Sequence, residues 1–124
     1  RALVDAKTAS GWAPLHLAAQ AGDAAVLQVL LERRASLDLA HEGGATALHL
    51  AAQNNHVEAT RVLLSWRASP NATAQGGTTA LHMASQRGHW EVAELLLDYK
   101  ALPDLEANAG ITPLILASQG GHAP

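Results

Sequence analysis

The feature that most restricts what this chain can fold into is an internal period. Leu15-His16-Leu17-Ala18-Ala19 returns as Leu48-His49-Leu50-Ala51-Ala52, then Leu81-His82-Met83-Ala84-Ser85, then Leu114-Ile115-Leu116-Ala117-Ser118, each step being 33 residues with no insertion. Other ladders keep the same step: Gly11, Gly44, Gly77 and Gly110; Gln20, Gln53, Gln86 and Gln119; Asp5, Asp38, Asn71 and Asp104; and the pairs Leu30-Leu31, Leu63-Leu64 and Leu96-Leu97. Between 44–76 and 77–109, 14 of 33 positions are identical. A period held this strictly implies a solenoid, in which each unit is one small structural element that buries its apolar face only by stacking on its neighbours.

Each unit has the same internal grammar. A Gly-rich turn such as Glu42-Gly43-Gly44 leads to Thr46, which stands with Thr79 and Thr112 where a helix N-cap belongs. Pro14 and Pro113 fill the first helical position, where a missing N–H costs nothing. A short helix over about 47–54 is broken by Asn54-Asn55, or by Arg87-Gly88 one unit on. A second helix over about 57–66 carries Val57, Val62, Leu63 and Leu64. Two or three linking residues force the helices to lie antiparallel. The chain holds 27 Ala and 20 Leu against six Val, two Ile and no Phe, which favours helix and disfavours a sandwich or barrel. Isolated helices under roughly 12–15 residues are marginal in water, so each pair depends on its neighbours. The predicted fold class is all-α, a solenoid of stacked antiparallel helix pairs. The repeats are expected at 11–43, 44–76 and 77–109, with the tail of a preceding repeat at 1–10 and a partial repeat at 110–124.

Charge and composition remove several classes of function. A net charge of −3 leaves no strongly basic face for nucleic acid and no polybasic membrane patch. With no cysteine there are no disulfides, thiolate metal sites or cysteine nucleophiles, and an intracellular setting is the expectation. No apolar run approaches the roughly 20 residues that span a bilayer.

The Thr46-Ala47-Leu48-His49-Leu50-Ala51-Ala52 run resembles the ankyrin repeat, whose signature is Thr-Pro-Leu-His-x-Ala at the same period. The resemblance covers essentially the whole chain. It implies an L-shaped unit, with a β-hairpin-like loop at right angles to the helix pair, and a concave face of loops and first helices that binds other proteins. Several positions depart from the family pattern. Ala13 replaces the capping Thr of the first unit, at an expected cost of about 1 kcal/mol. Ala47 and Ala80 replace Pro, and Ile115 replaces His. Arg34, Arg67 and Lys100 stand where the family has Gly in a left-handed conformation after the second helix. A non-Gly residue there costs on the order of 1 kcal/mol, of which a cation at a helix C-terminus recovers about 0.3–1 kcal/mol.

The side chains with chemistry point to scaffolding. Zinc draws ligand nitrogens to about 2.0–2.1 Å, whereas stacked helices sit roughly 8–10 Å apart, so His16, His49 and His82 cannot converge on one ion. They are expected to bond to their own turns and to the capping Thr. His56, His89 and His122 open the second helices and are read as structural. The Asp/Asn ladder is read as turn residues bonding nearby backbone. Gly43-Gly44 and Gly76-Gly77 lack the Lys and long helix of a phosphate loop. No catalytic residue, metal site or cofactor is expected. Under the resemblance, the loop tips and first-helix ends hold the candidate protein-binding residues: Trp12, Gln20, Glu42, Gln53, Asn54, Gln75, Thr78, Gln86, Arg87, Asn108, Ile111 and Gln119. Trp12 is either an interface anchor or packed on the neighbouring hairpin. Trp66 and Trp90 are expected to be partly buried outer-layer packing, with a second interface as the alternative.

Three functional readings stay open at this stage. The first is a non-catalytic module that binds a partner protein by its concave face, within a longer array or as a subunit of a larger complex. The second is a space-filling structural subunit that touches neighbours by its convex face or its ends. The third is the targeting arm of an enzyme or channel outside this segment. The lack of a polar capping repeat at either end favours a segment covered on both sides.

Overall fold

A computed structural model describes residues 4–107 and 110–112. Six helices form three pairs: α1 (Pro14–Ala21) with α2 (Ala24–Glu32), α3 (Ala47–Gln53) with α4 (Val57–Ser65), and α5 (Ala80–Arg87) with α6 (Trp90–Asp98). The first helices α1, α3 and α5 stack into an inner row, and α2, α4 and α6 into an outer one. Among the described residues there is no named strand; a 3-10 turn spans Gln75–Gly77 and an isolated antiparallel bridge joins Ala107 to Ile111.

Local sequence accounts for the helix limits. Thr46 and Thr79 are extended N-caps, and Pro14 occupies the first turn of α1. Gly22 and Gly88 end α1 and α5 in the left-handed region, while Asn55 takes the same conformation (φ 60°) after α3. Arg34, Arg67 and Lys100 follow the outer helices with φ of 68°, 74° and 76°, as the departure from Gly implied.

The loops between pairs are hairpin-like. His41 N–H donates to the Ala45 carbonyl (3.1 Å), and Ala74 N–H to Thr78 (2.8 Å). Successive loops are bonded to each other: Glu42 N–H reaches the Ser10 carbonyl (3.1 Å) and Gln75 N–H the Gly43 carbonyl (3.2 Å). Gly11, Gly44 and Gly77 make these turns with φ of 82°, 81° and 75°.

One continuous core of Leu and Ala runs between the rows, with Leu27, Leu63 and Leu96 fully buried; Leu63 and Leu96 hold matching positions, while Leu27 is matched by buried Thr60 and Ala93. Fully buried Ala19, Ala51, Ala52 and Ala84 let the inner helices approach closely. Equivalent residues differ in exposure only through their neighbours. Leu17 is 54% exposed on the first pair, whereas Leu50, covered by that pair, is 4% exposed. Val26 is 44% exposed on α2, whereas Ala59 and Val92 are buried.

Candidate functional site

The inner row is held by a histidine relay. The N-cap N–H groups of Ala13, Thr46 and Thr79 donate to Nδ1 of His16, His49 and His82 at 2.9, 3.0 and 3.1 Å. An Nδ1 that accepts is unprotonated, so the ring proton sits on Nε2. Nε2 donates onward to loop carbonyls: His16 to Leu39 (2.8 Å), in the loop that follows α2, and His49 and His82 to Thr78 (3.1 Å) and Ile111 (2.9 Å) at the start of the next unit. Bonding to the helix's own turn is as expected, but the second bond of His49 and of His82 crosses to the neighbouring unit. Burial pushes the pKa of His16 and His49 below the ordinary 6.5, against the opposing pull of those carbonyls. Both rings are therefore neutral at pH 7, with both nitrogens engaged by the scaffold.

Two further ladders also clamp adjacent units. His56 Nε2 contacts the Gln20 carbonyl (3.0 Å) and His89 Nε2 the Gln53 carbonyl (3.1 Å), so the histidines opening α4 and α6 tie them to the preceding inner helix. Ser36 donates its N–H to Asp5 Oδ1 (2.9 Å) and its hydroxyl to Oδ2 (2.7 Å), Ser69 N–H donates to Asp38 Oδ1 (3.1 Å), and Leu102 N–H to Asn71 Oδ1 (2.8 Å). The Asp/Asn ladder thus corrects the expectation of bonds to nearby backbone at three of its members, because Asp5, Asp38 and Asn71 each accept from the unit after their own. The Ser36 bonds, helped by Lys7, hold the Asp5 carboxyl below its usual 3.8. No buried side-chain N or O among the described residues lacks a hydrogen bond.

The candidate binding residues lie around this scaffold. Gln20, Gln86 and Arg87 are exposed at the ends of α1 and α5, with Gln53 half-buried at the end of α3. Glu42 and Gln75 are exposed at loop tips, and Thr78 and Ile111 half-buried beside them. Asn54 is exposed; its amide donates to Gln20 Oε1 (3.1 Å) and to the Leu50 carbonyl (2.8 Å). Asn108 and Gln119 lie outside the described residues, as do Pro113, Ile115 and His122. Trp12 is half-buried, stacked on His41 of the next hairpin (centroids 4.9 Å, 15°) and edge-on to His16 (5.9 Å). His41 was not among the candidates; its only signal in the sequence is that it breaks its own ladder, where the next units have Ala74 and Ala107. On the outer row Trp90 is half-buried against the core, but Trp66 is 38% exposed, more than expected, and Tyr99 one unit on is 39% exposed. Trp66 caps its helix beyond the last core position, so the packing that covers Trp90 does not reach it.

Chemically, this arrangement offers hydrogen-bonding and aromatic surface. Among the described residues no group of three or more His, Asp or Glu is placed to hold a metal ion, and no helix is long and apolar enough to cross a membrane. Stacked helix pairs tied by bonded loops define a repeat scaffold. The family model for ankyrin repeats in three copies matches residues 1–74, and the model for ankyrin repeats in many copies matches residues 67–117. The chain belongs to the ankyrin-repeat family. No curated protein matches it significantly. Ankyrin-repeat domains are in general protein–protein interaction modules and are typically non-catalytic.

Proposed function

We propose that the chain binds a partner protein through the concave face of its loops and inner helices, as a segment of a longer array or a subunit of a larger assembly. One observation carries this reading. The polar groups buried inside the scaffold are consumed by one another, whereas Gln20, Asn54, Gln86 and Arg87 form an exposed polar row along the inner helix ends. Such residues can change without disturbing the ladders, which is how a fixed scaffold acquires specificity. Trp12 on its His41 stack adds a rigid aromatic at one end of the row.

The test is photo-cross-linking in native extract. A benzoylphenylalanine at Gln86 should capture a discrete partner, and the same probe at Glu94 on the outer helix should not. Replacing Trp12, Asn54 and Arg87 together by Ala should abolish capture. Capture that survives with an unchanged melting curve would remove the concave-face assignment.

A further inference from the structure

The outer edge of the array carries a second pattern that the scaffold does not need. The ends of the outer helices and the residues after them (32–34, 65–67 and 98–100) hold four of the chain's eight Lys and Arg, namely Arg33, Arg34, Arg67 and Lys100. Against these stand two carboxylates, Glu32 and Asp98, in a chain whose net charge is −3. All four cations are exposed. Among the described residues the one ion pair is Arg61 with Glu58, so none of the four is paired there. Arg34, Arg67 and Lys100 share one left-handed backbone conformation at one place in the repeat, so the stacking of units sets them out in a periodic row. Helix-end electrostatics alone does not call for this left-handed position, because a cation one residue earlier, as at Arg33, serves the helix end without the strain.

Aromatics interleave with the cations. Trp66 and Tyr99 immediately precede Arg67 and Lys100, cap α4 and α6 with similar backbone angles, and are each more than one-third exposed. The Trp66 indole N–H donates to Gln28 Oε1 on α2 (3.1 Å), and the Gln28 amide donates to Glu32 Oε2 (3.2 Å). The indole is thereby pinned across the α2–α4 boundary, and Glu32 is drawn toward that network.

The step along this line is the spacing of stacked helices, roughly 8–10 Å. A polyproline II helix has three residues per turn and rises about 3.1 Å per residue, so one of its faces recurs about every 9.3 Å. A β-strand presents one face about every 6.6–6.8 Å and an α-helix about every 5.4 Å, out of register with this step. We propose that Arg34, Trp66, Arg67, Tyr99 and Lys100 form a second docking surface, whose partner is an extended, acidic, proline-rich segment with a carboxylate at every third residue. The carboxylates meet the three cations in register, and the prolines between them lie on the two aromatic rings.

The experiment titrates the 124-residue chain with fluorescent peptides at low salt. One peptide repeats Glu-Pro-Pro four times; a second has the same composition with its glutamates contiguous; a third repeats Lys-Pro-Pro. The first should bind about tenfold or more tighter than the second, the third should not bind, and raising salt should weaken the complex. Arg34→Gly, Arg67→Gly and Lys100→Gly combined should retain the far-UV spectrum, since glycine accepts this φ freely, yet lose about tenfold or more in affinity. If that variant unfolds, Arg67→Asn alone decides, because asparagine tolerates the same conformation. Trp66→Ala should weaken binding, and Arg61→Ala, an equal change of charge elsewhere, should not. Equal binding of the contiguous peptide, affinity retained by the folded glycine or asparagine variant, equally tight binding of single-stranded RNA, or no saturation at millimolar peptide would each overturn the proposal.

Discussion

Replacing His49 by Leu probes the relay at its centre. The side chain is 1% exposed and leucine has a similar volume, so little cavity is created and the loss reports on hydrogen bonds. The change removes the acceptor for Thr46 N–H and the donor to the Thr78 carbonyl. Leaving a buried polar group unpaired costs about 1–3 kcal/mol. Thr46 is buried and Thr78 half-buried, so the expected total is about 2–5 kcal/mol, a large share of the roughly 5–15 kcal/mol typical of a folded domain. Urea unfolding at pH 7.5, followed by far-UV circular dichroism, should show a lower midpoint with an unchanged slope. Acid supplies an internal check. Because burial lowers the His49 pKa, the unfolded chain binds the proton more readily; the parent's stability is complete above the unfolded value near 6.5 and declines as pH falls from there toward the folded pKa. Leucine does not titrate, so the gap between parent and variant should narrow between pH 7.5 and 5.5, by at most about 1.4 kcal/mol per pH unit. A gap below about 0.5 kcal/mol at pH 7.5, or one that widens in acid, would refute the relay as a source of stability.

Three further outcomes follow from the same geometry. Ala13→Thr restores the hydroxyl present at Thr46 and Thr79 in a matching buried site, and should raise stability by about 0.5–1 kcal/mol in the same urea assay. Gly22→Ala should cost about 2–3 kcal/mol, because alanine must hold φ 74° and its Cβ would lie 2.5 Å from His56 Nδ1. Gly110→Ala shares the φ penalty but among the described residues meets only Glu106 Oε1 at 3.7 Å, so it should cost about 1 kcal/mol; equal losses at the two sites would show that the His56 contact carries no energy.

The identity of each unit was readable because its signals are local. Thr46 and Thr79 cap helices, Pro14 opens one, and Gly88 closes one through bonds and clashes within a few residues. The period supplied the rest, since 33-residue spacing admits only units that stack. Arg34, Arg67 and Lys100 could be assigned positive φ in advance for the same reason: the place in the repeat dictates the backbone, whatever residue fills it.

Partners across unit boundaries were not readable. Asp38 gives no local sign that it clamps Ser69, nor His49 that its Nε2 reaches Thr78, because both bonds depend on how far one unit is rotated and shifted against the next. Leu17 and Leu50 occupy equivalent places in the repeat, yet one faces out and the other is buried. Trp12 and His41 stand at positions where the other units carry different residues, and only the juxtaposition of two hairpins makes them a stack. The sequence by itself determined that short Ala- and Leu-rich helix pairs recur and must share a core, since none can bury its apolar face alone. The tertiary structure decided which repeated side chains are spent between units and which remain for a partner, because burial and hydrogen bonding across an interface depend on the neighbour as much as on the residue.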